Sequence, residues 1–159
     1  MKFKVPLLKI TLPKRNDLYS ELKKTFDSGI IGEGKNVKLF EKRFSKKFNF
    51  RNVLAVSSGT AALHLAFVLA NIKNGDEVIS TSMTAEPTNT SIKQSGGIPI
   101  FADVDPKTGN ISPKSIERLI NKKTKAICVV HYGGYPAEIN KIAKIAKEFK
   151  LFLIEDCAH

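Results

Sequence analysis

The sequence predicts an α/β domain of three layers built on a mainly parallel sheet. Short apolar runs of strand length alternate with longer runs spaced for helices along the chain. The strand candidates are apolar at successive positions, as expected where helices cover both faces of a sheet. A composition of 42% hydrophobic and 26% charged residues over 159 positions suits one globular domain with a real core.

Each element has its own signal. Asn16 or Asp17 caps a first helix that runs to about Asp27, with Leu18, Leu22 and Phe26 on one face and Gly29 beyond its end. A Gly-rich loop, Gly29 to Gly34, leads to a second helix with Val37, Phe40, Phe44 and Phe48 at helical spacing. Val53 to Val56 reads as a short strand, broken by Ser57-Ser58-Gly59. From Thr60 the run AALHLAFVLANI is apolar nearly all round, which predicts a buried helix. Asn74-Gly75-Asp76 is a turn before a strand at Glu77 to Ser80. The polar loop Thr81 to Asn89 precedes a helix to Ser95. Gly96-Gly97 then turns the chain into the strand IPIFADV. Asp105 to Asn110 is a loop, and Ser112-Pro113 opens a helix. A strand follows at Lys125 to Val130, then a helix with Ile139, Ile142, Ala146 and Phe149 on one face, then a last strand at Leu151 to Ile154.

Charge and cysteines narrow the function classes. The net charge is +11, but the cations are almost all lysines, spread over polar helix faces such as Lys141, Lys144, Lys147 and Lys150. No aromatic-basic alternation accompanies them, so the charge reads as a solvated surface that favours an anionic small substrate, and no nucleic acid is expected. The opening apolar patch is broken by Lys and Pro, and no run is long enough to span a bilayer, so neither a secretory signal nor a membrane partner is expected. Cys128 and Cys157 have neither CxxC spacing nor a zinc-type cluster, which predicts reduced cysteines, a cytoplasmic location and no metal.

Ligands of such sheets bind beyond the carboxyl ends of the strands. That rule marks Ser57 to Ala61, Thr81 to Asn89 and Asp156 to His159. In Ser57-Ser58-Gly59-Thr60-Ala61 a glycine permits a tight turn, and the first amides of a helix face outward where they favour an anion. Taken alone, the motif reads first as a helix cap; it is neither a P-loop nor a dinucleotide fingerprint. Asp156 ends a buried strand, and a carboxylate there must be paired or hydrogen-bonded. One use is to hold a protonated pyridine nitrogen; a capping role is the alternative. His159 lies three residues on, within reach of the same ligand.

These motifs, in this order, resemble the DegT/StrS-type pyridoxal-phosphate-dependent sugar aminotransferases. The resemblance runs through GIIGEGKNVKLFEKRF, the stretch LAVSSGTAALHL to NISPKSIERLI, and LFLIEDCAH, from about Leu7 to His159. It implies the large domain of the aspartate-aminotransferase fold, with residues 1–159 forming its amino-terminal part, incomplete at the carboxyl end. It implies pyridoxal 5'-phosphate as cofactor, held by the backbone of Gly59, Thr60 and Ala61 at its phosphate, by Asp156 at its ring nitrogen and by His159 near its ring hydroxyl. Ala85 falls where many relatives set an aromatic residue against the ring. The Gly29 to Gly34 loop is expected to line the site entrance, and His131 and Tyr132 to support the site; a plain connector and a satisfied core histidine are the alternatives. The resemblance further implies a homodimer that moves an amino group, usually from glutamate, to a keto group of a nucleotide-linked sugar, with a mild lean toward cell-envelope sugars. The Schiff-base lysine of the family comes after the EDxAH motif, so no catalytic residue is expected within this chain, and the remaining strands and small domain are expected outside it. Alone, the chain is expected to be inactive. A non-catalytic or dehydratase-type relative is the alternative.

Overall fold

Side chains on successive residues of a strand leave opposite faces of the sheet, and this alternation divides the core in two. A computed structural model describes residues 11–159; the residues before them, including the Lys- and Pro-broken apolar patch and the first positions of the family resemblance, lie outside the described residues. The chain forms two compact units, Met1–Ala55 and Val56–His159.

In the first unit, α1 (Arg15–Asp27) and α2 (Lys35–Phe48) match the predicted helices in extent, but Lys14 is the N-cap of α1, and Asn16 and Asp17, expected as caps, lie inside its first turn. Asn49 ends α2 in the left-handed conformation, φ 55°, a position where an Asn side chain is tolerated. Ser45 then secures the exit: its carbonyl accepts the Phe50 amide and its hydroxyl donates to the Phe50 carbonyl. Phe44 packs between Phe40, Phe48 and Phe50, with ring centroids 4.6 to 6.1 Å away. Asn36 Nδ2 donates to Thr25 Oγ1 across the α1–α2 connection.

The second unit holds a four-stranded sheet in the order β2-β1-β3-β4, with β1 Glu77–Ser80, β2 Ile98–Phe101, β3 Thr124–Val130 and β4 Phe152–Asp156. Every pairing is parallel. Val78, Ala126 and Cys128 face α3 (Gly59–Leu69) and α4 (Glu86–Gln94), where they meet Leu63, Phe67 and Ile92. Ile79, Ile127 and Val129 face the opposite way, against Ile116 of α5 (Pro113–Leu119) and Ile142, Ile145 and Ala146 of α6 (Ile139–Glu148). The result is the three-layer parallel α/β arrangement expected. Burying one side chain such as Phe67 contributes about 1.5–3 kcal/mol. Among the described residues no helix is long and apolar enough to cross a membrane.

The structure corrects three further expectations. Val53 to Val56 forms no strand and pairs with no described strand, and Leu54 is exposed; apolar sequence makes a strand only where another backbone accepts its hydrogen bonds. Helix α3 is not buried all round: Leu63 and Phe67 point inward, while Leu65, Val68 and Leu69 are exposed, the last at 83%. The sheet and α4 cover one flank only. Finally, IPIFADV is strand only to Phe101; Val104 leaves the sheet and forms an antiparallel bridge with Ile111.

Gly97 shows how tightly α4 enters the sheet. A Cβ there would lie 2.8 Å from Ile72 Cγ2, 3.0 Å from Ile92 Cγ2 and 3.3 Å from the Ile92 carbonyl. Gly97→Ala is expected to destabilise the fold by about 1–3 kcal/mol, read as a lower midpoint in a guanidinium titration; an unchanged midpoint would show that this junction has slack.

Candidate functional site

The sheet order fixes where a site can form. From β1 the chain passes to β2 on one side and then returns to β3 on the other, so connections diverge at the carboxyl ends of β1 and β3. Three segments meet near that edge: the start of α3, the start of α4 and the end of β4.

At the start of α3, Ser58 is the N-cap and its Oγ accepts the Ala61 amide at 3.1 Å. The capping alternative is therefore realised for Ala61. The amides of Gly59 and Thr60 are taken by no acceptor among the described residues. Gly59 borders a cleft of about 350 Å³, lined on one side by Ala62, Leu63 and Ala66 and on the other by Ile154, Asp156 and Ala158. Thus two of the sequence-predicted residues, Gly59 and Asp156, share one concavity, and it lies within the size range of small-ligand sites.

Asp156 is 9% exposed. Its Oδ2 accepts from Thr88 Oγ1 at 2.8 Å and its Oδ1 from the Ala158 amide at 3.1 Å. Thr88 Oγ1 is also 2.9 Å from Thr84 Oγ1. Sequence reasoning missed both threonines, because α4 begins at Glu86, inside the stretch read as loop through Asn89. The signal was there in Thr84 and Thr88, four residues apart with Pro87 marking a helix start. Ala85 is the exposed N-cap of α4 and is not among the residues lining the cleft.

His159 lies beside the turn after β3. Its Nδ1 accepts the Gly133 amide at 3.2 Å, and its ring meets Tyr132 edge-on at 6.1 Å. An accepting Nδ1 carries no proton, so Nε2 is the donor nitrogen. Asn110, read only as a turn former, holds this turn: its Oδ1 accepts the Tyr132 amide and its Nδ2 donates to the Tyr135 carbonyl, each at 2.9 Å. Its own 4% exposure makes both bonds costly to lose. Gly109 beside it cannot carry a Cβ, which would stand 2.8 Å from the Tyr132 ring with φ at +72°.

His131 is the satisfied histidine of the two alternatives. Its Nδ1 accepts the Ala137 amide at 3.1 Å and its Nε2 donates to Glu155 Oε2 at 3.0 Å. Cys157 stands close enough for His131, Glu155 and Cys157 to resemble a metal cluster. A metal-binding imidazole nitrogen needs the other nitrogen to donate its N–H, and here the other nitrogen accepts. The group is a hydrogen-bonded pair beside a thiol. The Gly29 to Gly34 loop belongs to the first unit.

The family's sequence profile matches residues 14–159. The chain belongs to the DegT/DnrJ/EryC1/StrS aminotransferase family. It is 39% identical over 139 residues to the spore coat polysaccharide biosynthesis protein SpsC of Bacillus subtilis, covering 87% of this chain and 36% of that protein. It is 41% identical over 129 residues to GDP-perosamine synthase of Escherichia coli, covering 81% and 35%. A crystal structure of NtdA from Bacillus subtilis with bound cofactor PMP superposes with a TM-score of 0.90 at 35% identity, over 96% of this chain and 36% of that one. The chain thus spans about a third of the length of these relatives.

Pyridoxal phosphate is the cofactor expected of a member of this family, and the donor set fits it. Two amides without an acceptor at a helix start suit a phosphate. A buried carboxylate with a lone pair left on each oxygen suits a protonated ring nitrogen. The apolar walls at Ala62, Leu63, Ala66 and Ile154 suit a flat ring.

Burial and the Asp156 charge push the Cys128 thiol up to about 12. Cys157 is raised less, first by burial and then by Glu155 and Asp156. A raised value means less thiolate at a given pH, so alkylation of the native protein at pH 8 is expected to reach Cys157 slowly and Cys128 not at all. Glu155→Gln removes one anion and should speed Cys157 labelling, as read by mass spectrometry; slower labelling in the variant would reverse the sign of this account.

Proposed function

We propose that the chain is the cofactor-binding part of a pyridoxal-phosphate-dependent aminotransferase that moves an amino group from glutamate to a keto group of a nucleotide-linked sugar. The observation that carries the reading is the single cleft shared by Gly59 and Asp156 in a chain of this family. The names of its relatives, a spore coat polysaccharide biosynthesis protein and a GDP-perosamine synthase, support an assignment to cell-envelope or lipopolysaccharide sugar synthesis. We place the protein in the cytoplasm as a homodimer, without nucleic-acid or membrane partners.

The roles follow from the donors available. The Gly59 and Thr60 amides would take the cofactor phosphate, with the Ala61 amide joining if the Ser58 cap yields. Asp156 would accept the ring N–H. His159 would donate from Nε2 to the ring hydroxyl, and Ala85 would leave the ring without an aromatic neighbour. When bound, pyridoxal phosphate supplies an electron sink for the bonds at the carbon bearing the amino group. The chain's part is to keep the ring nitrogen protonated and to exclude water from the apolar wall of the cleft. Among the described residues no lysine lines the cleft. We therefore assign the covalent lysine to none of these residues, and in this reading the segment alone is inactive.

In the complete protein, Asp156→Ala is expected to weaken pyridoxal phosphate binding by roughly 10- to 100-fold, the scale of a lost charge-assisted hydrogen bond. The measurement is a titration of the cofactor-free protein, followed by the cofactor absorbance band. Unchanged affinity in that variant would remove the basis of the assignment.

A further inference from the structure

A carboxylate that holds a ring nitrogen must present one oxygen in a fixed plane. The last torsion of an aspartate is broad and two-fold, so the side chain does not fix that plane unaided. At Asp156 both oxygens are tied, Oδ1 to the Ala158 amide and Oδ2 to Thr88 Oγ1. The Ala158 bond is local, two residues away, and moves with the end of β4. The Thr88 bond comes from another element, 68 residues earlier, and ties the carboxylate to α4.

The direction of the hydrogen bonds can be read from the chemistry. An ionised carboxylate only accepts, so Thr88 commits its one hydroxyl proton to Asp156. The contact between Thr84 Oγ1 and Thr88 Oγ1 then has a single polarity, with Thr84 the donor. Thr88 is 1% exposed, so water does not compete for its hydroxyl. It is also β-branched on a helix, which limits χ1 to two main rotamers. Thr84 precedes the helix and orients that oxygen further.

We propose that Thr88, oriented by Thr84, is the positioning residue that sets the plane of the Asp156 carboxylate toward the cofactor ring. Thr88 does not touch the ring; it acts through Asp156. The inference rests on the reading in which Asp156 meets the ring nitrogen, and the test separates the two.

The test uses pyridoxal phosphate titrations of the complete protein in its cofactor-free form. Thr88→Val keeps the shape and removes the hydroxyl, and it is expected to weaken binding roughly 10-fold. Thr88→Ser is expected to restore affinity to within about 2-fold, because the proton donor returns. Thr84→Val, one bond further away, is expected to cost about 3-fold. In an Asp156→Ala background, Thr88→Val should add almost nothing, since its route to the cofactor is gone. A Thr88→Val penalty that persists at full size in that background would mark a packing role for α4 and overturn the proposal. So would a normal affinity in Thr88→Val alongside a weakened Asp156→Ala, and in that case the role of Asp156 stands. An unaffected Asp156→Ala would overturn both readings. If Thr88→Val does not fold, Thr84→Val carries the same cycle, and absence of coupling there has the same force.

Discussion

Strand register is the constraint on which the site depends. In the pairing of β3 with β4, Cys128 stands beside Ile154 and Val130 beside Asp156. Cys128 belongs to the core under α3 and α4, with Ile154 packed against it, so alternation places Asp156 on that same face. A slip of one residue would send the carboxylate to the α5–α6 side, away from Gly59 and Thr88. Register is itself enforced by the two half-cores. Ile127 and Val129 must face one way and Ala126 and Cys128 the other, and β3 is buried almost along its length. Hydrophobic burial thus decides where one charge points.

The second layer of control is backbone amides that choose the proton positions of imidazoles. Gly133 donates to His159 and Ala137 to His131, both at Nδ1. The two rings therefore share a tautomer but differ in use. His131 spends Nε2 on Glu155, whereas the Nε2 of exposed His159 is left to donate. Asn110 fixes the turn that supplies the Gly133 amide, so a residue in the loop after β2 bears on a histidine at the end of β4.

The parallel sheet, its helices and its carboxyl edge were legible in the sequence, because apolar runs and turn residues report burial directly. Gly59 and Asp156 stood out as candidates because each sits at an element boundary, Gly59 opening α3 and Asp156 ending β4. Pairing was not legible. Val53 to Val56 has the composition of a strand, but composition does not name a partner, and none of the described strands takes it. The uncovered flank of α3 escaped notice in the same way, since an apolar residue does not state what lies against it. Thr88 escaped because a threonine in a polar stretch looks like a loop residue. Its importance appears only when β4 brings Asp156 to it.

That meeting has a consequence for synthesis. Thr88 leaves the ribosome 68 residues before Asp156, and β1 and β3 pair in parallel across an intervening strand and two helices. No local hairpin can form this edge, because parallel neighbours require a long crossover. The nascent chain therefore carries the α3 amides and the α4 hydroxyls with no carboxylate to complete them until β4 docks on β3. In the proposed reading the ring-nitrogen contact becomes available only when β4 docks on β3, so a chain whose β4 has not docked would offer the cofactor the α3 amides alone.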